Sequence, residues 1–106
     1  MMEQKDYEIA KELKERLSES VQLIDFRIFG SRARGDTGEY SDMDIFLEVE
    51  SINRELKEKI FNTVWEVGFE HFVFISPLIF TRAEIEKSPL KASSIVKNIV
   101  TEGVRI

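Results

Sequence analysis

Residues 30–49 read GSRARGDTGEYSDMDIFLEV, and the change of character halfway along this stretch organises everything around it. Gly30 to Ser41 carries three of the chain's five glycines and no aliphatic residue beyond Ala33, so it reads as a turn or short helical turn running into a loop. From Asp42 to Val49 the residues alternate. Met43, Ile45, Leu47 and Val49 fall on one face of a strand, and Asp42, Asp44, Phe46 and Glu48 on the other. The two aspartates therefore project from one face with α-carbons ~6–7 Å apart. Carboxylates that close raise one another's pKa unless a cation lies between them, and hard oxygen donors of this kind suit Mg²⁺ or Mn²⁺.

Upstream, Val21 to Gly30 reads VQLIDFRIFG, in which Ile24, Phe26 and Ile28 alternate with Asp25, Arg27 and Phe29 as in a strand with one face on a core. Gly30 and Ser31 thus follow a strand directly. Backbone N–H groups after such a turn, together with the Ser31 hydroxyl, can cradle a phosphate, and glycine lets the phosphate approach the backbone. Arg32 and Arg34 add two guanidinium forks that match phosphate oxygens. Singly, each feature fits a plainer role: Asp42 as a loop cap, Asp44 facing solvent, the arginines paired with Asp36 or Glu39. The order is restrictive: strand, Gly-Ser, two arginines, a Gly-bearing loop, then Ser-Asp-x-Asp opening an alternating strand.

Farther out, Glu3 to Ser20 reads as an amphipathic helix, with Ile9, Leu13, Leu17 and Val21 at four-residue intervals. After the second strand, Ser51 or Asn53 can cap a helix whose buried stripe is Ile52, Leu56, Ile60, Val64 and Val67, widened by Phe61 and Trp65 and stopped by Gly68. Phe69 to Phe80 reads as a third strand, which Pro77 confines to a sheet edge or a bulge. A short helix over Arg82–Glu86, a break at Ser88-Pro89 and a final helix carrying Ile95, Val96, Ile99 and Val100 complete the chain. The expected fold is α/β (α+β): one domain over residues 1–106, a small mixed sheet of three to four strands with helices packed on it.

Composition narrows the function. The 106 residues include 20 acidic and 15 basic side chains, a net charge of −5, which argues against a nucleic-acid coat or an anionic-membrane binder. The absence of cysteine excludes disulfides, thiolate metal sites and Cys nucleophiles. The amino terminus lacks the basic start and apolar run of a secretory signal, and the longest apolar stretch, Phe72 to Phe80, is about half the ~20 residues a membrane helix needs; the expected location is the cytoplasm.

The GS, Arg- and Gly-bearing stretch and SDxD of residues 30–49 resemble the signature of the minimal nucleotidyltransferases of the DNA polymerase β-like superfamily. The resemblance implies that Gly30 and Ser31, with Ser41 and with Arg32 or Arg34 assisting, hold the phosphates of ATP or another nucleoside triphosphate. Asp42 and Asp44 would bind the Mg²⁺ (or Mn²⁺) and act as the catalytic pair in moving a nucleoside monophosphate, AMP foremost, to a hydroxyl with pyrophosphate leaving. Ser76-Pro77 and Glu102-Gly103-Val104 resemble a subgroup of small stand-alone members. Many of these resemble the antitoxin half of a two-gene module whose partner is a helical HEPN-type toxin, and some adenylylate that toxin.

Two departures accompany the resemblance. Members that use two metals carry a third carboxylate on the next strand, but residues 71–80 read HFVFISPLIF, with no Asp or Glu. Glu48, Glu70 and His71 are the available substitutes. Glu48 lies ~13 Å along the strand from Asp44. At 106 residues one sheet and its covering helices are expected to use up the chain, so the acceptor site is expected to come from another chain. Two readings stay open: an active transferase, or a catalytically weak module that neutralises a partner by binding it. Phe69, Phe72, Phe74 and Phe80 are expected mostly in the core, with exposure for a homodimer or another partner as the alternative.

Overall fold

The computed structural model describes residues 1–35, 42–87 and 94–106. In chain order its elements are helix α1 (Gln4–Ser18), strand β1 (Leu23–Phe29), helix α2 (Gly30–Arg34), strand β2 (Met43–Val49), helix α3 (Arg54–His71), strand β3 (Ile75–Thr81), helices α4 (Arg82–Lys87) and α5 (Ser94–Glu102), and strand β4 (Val104–Arg105). The strands form one mixed sheet in the order β3-β2-β1-β4. β1 is antiparallel to β2 and β4, whereas β3 runs parallel to β2. The expected α/β fold with a small mixed sheet is what the chain adopts. The break at Ser88-Pro89 lies outside the described residues.

Alternation explains how the sheet is covered. Ile9, Leu13 and Leu17 of α1 and Ile60, Val64 and Val67 of α3 pack with Ile28, Met43, Ile45 and Leu47 into one buried core. Each such side chain contributes about 1.5–3 kcal/mol of hydrophobic stabilisation. On the opposite face, which carries Asp44 and Glu48, Phe46 is buried against Phe80, Val96 and Ile99, with the two rings 5.9 Å apart. This second, smaller cluster seats α5. β2 is consequently buried on both sides of its middle while its two carboxylates stay half-exposed.

The Asn53 side chain caps α3, accepting from the Leu56 N–H at 2.8 Å. The expected stop at Gly68 is displaced. A lone glycine costs a helix only about 1 kcal/mol, so α3 runs on through Phe69 and ends at His71. Phe72, at φ +55°, makes the turn: its N–H and that of Val73 reach back to the carbonyls of Phe69 and Gly68 at 3.4 and 2.9 Å. Gly68 is needed for a different reason, since a Cβ there would lie 2.6 Å from the Val73 carbonyl oxygen. The third strand accordingly starts at Ile75, not Phe69.

The aromatic residues depart most from expectation. Phe61 and Trp65 lie one position beyond the buried row of Ile60 and Val64 and do not widen the core; they are 43% and 67% exposed. Phe69, Phe72 and Phe74 are 66%, 94% and 82% exposed, and of the four phenylalanines expected in the core only Phe80 is buried.

Phe72 in the left-handed region costs about 1–2 kcal/mol relative to glycine, and its ring adds nothing to the core. Phe72→Gly is expected to stabilise the protein by about 1 kcal/mol net, raising Tm by about 4 °C in thermal unfolding; a lower Tm would contradict this account of the turn.

β4 escaped sequence reading because two residues cannot display alternation. It pairs Val104 and Arg105 with Ile28 and Arg27. β3 forms one edge of the sheet, as Pro77 requires.

Candidate active site

The Gly-Ser turn and the aspartate pair meet because β1 and β2 are register partners. Phe29 pairs with Asp44, so Gly30, the next residue, sits directly over that carboxylate. Gly30 adopts φ +75°, and a Cβ built on it would lie 2.6 Å from Asp44 Oδ2. Glycine is thus required twice, by backbone conformation and by the space the carboxylate occupies. Ser31 follows in the first turn of α2, half-buried.

Asp44 is half-buried and Asp42 exposed at the mouth of the strand. Burial pushes the Asp44 carboxyl above the usual carboxylate range, and the charge of Asp42 pushes it further. Two hard oxygen donors, one of them held at an electrostatic disadvantage, fit a divalent cation.

The two arginines part company. Arg32 is buried at 8% exposure, and its Nη1 donates to Asp6 Oδ1 of α1 at 2.7 Å; Asp6 is itself 2% exposed. Arg34 is exposed at the end of α2. Asp6 was not singled out by sequence reading. The available signal was its place on the apolar stripe, one turn before Ile9 and Ala10, where a carboxylate needs a buried partner. Ser41 lies outside the described residues.

The three substitutes for a third carboxylate are placed differently. Glu70 belongs to α3 rather than to the third strand, and its carboxylate takes a 2.7 Å ion pair with Arg16 of α1, whose guanidinium holds it below its usual pKa. His71 Nε2 lies 3.2 Å from Glu12. Glu12, Glu70 and His71 bring ligand atoms within 4.8 Å of one another, but Arg16 sits between the two glutamates and makes this a clamp between α1 and α3. Glu48 stays half-buried four residues along β2, its pKa raised by burial and by Asp25. The residue paired with Asp44 across the β2–β3 ladder is Ser76.

An open groove of about 600 Å³ starts at Asp42 and Ser76 and runs between α3 and the beginning of β3, lined mainly by the exposed aromatic side chains. Among the described residues, no helix is long and apolar enough to cross a membrane.

A mixed four-stranded sheet thus carries a Gly-Ser turn packed onto an Asp-x-Asp strand. The sequence model of the nucleotidyltransferase domain family matches residues 8–105, and the chain belongs to that family. No curated protein matches it. Among solved structures it is similar to a candidate nucleotidyltransferase from Sulfolobus solfataricus, at 22% identity and TM-score 0.53 over 92% of this chain and 76% of that one. It is also similar to a chain of a toxin–antitoxin structure with AMP-PNP, at 16% identity and TM-score 0.59 over 90% and 70% of the two chains. A mutant of the toxin–antitoxin pair MntA–HpeT gives 16% identity and TM-score 0.58 over 94% and 70%. At these identities the likeness is one of fold.

Proposed function

We propose that this nucleotidyltransferase moves AMP from Mg²⁺–ATP to a hydroxyl on a partner protein, a helical HEPN-type toxin that it thereby restrains. The observation that carries the reading is the contact between Gly30 and Asp44: the phosphate turn and the carboxylate pair form one site. Two of the similar structures are of toxin–antitoxin complexes, one with AMP-PNP, which supports the partner class and the nucleotide. A cytoplasmic location goes with ATP as donor.

In this mechanism the backbone N–H groups at Gly30 and Ser31 and the Ser31 hydroxyl take the outer phosphates, with Arg34 beside them. Arg32 assists by fixing the turn against Asp6. Asp42 and Asp44 would hold Mg²⁺, which when bound neutralises charge on the triphosphate. The acceptor oxygen bonds to the α-phosphorus, the bond to the bridging oxygen breaks, pyrophosphate leaves and the hydroxyl proton passes to water. The residue paired with Asp44 on the neighbouring strand is Ser76 rather than a carboxylate.

The test is incorporation of α-phosphate-labelled ATP into the co-expressed product of the neighbouring gene. Label is expected only with Mg²⁺ and is expected to fall about 10³-fold in Asp42→Ala, Asp44→Ala; full labelling by that variant would sink the proposal. The serine at position 76 favours one further reading, neutralisation by complex formation alone. In that case toxin neutralisation survives the double substitution.

A further inference from the structure

The five exposed aromatic residues have no role in the chemistry above. Phe61, Trp65 and Phe69 follow one another at helical spacing along the outer face of α3, with the Trp65 and Phe69 rings stacked at 5.2 Å. Phe72 and Phe74 extend the row to the start of β3, and Phe72 holds a backbone conformation that glycine would adopt with less strain. Together these side chains expose on the order of 700 Å² of apolar surface. The largest apolar patch on a typical monomer is about 300–600 Å², whereas a stable protein interface needs about 800 Å² from each partner.

We propose that this groove is the docking surface for the acceptor protein, and that docking there delivers the acceptor hydroxyl to Asp42 and Asp44. The inference rests on the transferase reading above and adds where the second substrate binds. Asp42 and Ser76 belong to the groove's lining, so a protein seated in it touches one aspartate of the pair and the residue that pairs with the other. A second copy of this chain is disfavoured by charge: each copy carries −5, and pairing would press each Asp42 mouth toward its mate. The occupant is therefore a different protein with an apolar face and a basic residue that complements the exposed Asp42.

The experiment supplies α-phosphate-labelled ATP and Mg²⁺ to an extract of the cells that encode the protein. It compares wild type, Trp65→Ser with Phe69→Ser, Phe72→Gly, and the control Val100→Ser, an exposed apolar site on α5. Wild type and control are expected to label a protein acceptor. The double variant is expected to label it at least about thirty-fold less and Phe72→Gly several-fold less, with calorimetric affinity for Mg²⁺–ATP unchanged in all four. Equal labelling by the double variant overturns the docking surface and leaves the transferase standing. Absence of any labelled protein with wild type overturns both. Loss of Mg²⁺–ATP affinity in the double variant makes the groove a nucleobase site. A wild-type dimer that the double variant converts to monomer in sedimentation makes it a self-interface, and either result overturns the proposal.

Discussion

Asp44→Asn is expected to lower AMP transfer by about three orders of magnitude while raising the melting temperature of the metal-free protein. The loss follows from removing one of two cation donors, an effect of several kcal/mol on the transition state at about 1.4 kcal/mol per decade. The gain follows from the same carboxylate. Burial and Asp42 together raise its pKa, so the folded chain binds the Asp44 proton more tightly than the unfolded chain does. Stability of the metal-free wild type should therefore fall as pH rises from the ordinary carboxylate range through the raised value, and level off above it. In Asp44→Asn that decline should shrink to the part contributed by Glu48, whose pKa burial also raises. Thermal unfolding in chelator from about pH 4 to about pH 8 measures it, and a variant that melts below wild type at neutral pH would show that Asp44 is held by a favourable contact instead. The expected rise in melting temperature makes the site one more case in which a protein keeps a destabilising group for its function.

Asp6→Ala should have the largest effect on stability, about 3–5 kcal/mol, lowering Tm by about 15 °C or more. The pair it breaks is 2.7 Å long and almost wholly excluded from water, so the truncation removes the Asp6 carboxylate from a buried guanidinium. Thermal unfolding should separate this from simple loss of packing. Asp6→Leu with Arg32→Met, which replaces the pair by apolar groups, is expected to recover most of the lost stability. A double variant as unstable as Asp6→Ala would mean that the pair itself, rather than the desolvation of a guanidinium that has lost Asp6, carries the energy. Because Arg32 lies in α2, loss of the pair should also loosen the Gly30–Ser31 turn.

What could be read from the residues was local. The Gly-Ser turn, the aspartate spacing and the alternation of residues 42–49 are properties of adjacent positions, and the structure assembles them as neighbours through the β1–β2 register. What could not be read depended on pairing over distance. The Asp6–Arg32 contact spans 26 residues, and the place of Ser76 opposite Asp44 depends on a parallel register that no short pattern encodes. Helix α3 misled for another reason. Its apolar residues form two adjacent rows, one for the core and one exposed, and periodicity alone merges them into a single broad stripe. Gly68 resembled a stop because a glycine near a helix end usually is one, whereas here it makes room for the Val73 carbonyl.

Pro77 has a consequence for how this molecule can associate. The Met43 N–H donates to the Phe74 carbonyl at 2.8 Å, so Phe74, Ser76, Leu78 and Phe80 turn their backbone groups toward β2. Ile75, Pro77 and Ile79 turn theirs outward. Proline therefore falls where it removes no ladder bond and deletes the central donor from the exposed edge. A foreign strand cannot zip onto β3, and the aggregation route open to most sheet edges is closed beside a surface rich in aromatic residues. Association at this end of the molecule is left to side chains, which select by shape and charge, instead of to backbone bonding that would accept any extended chain.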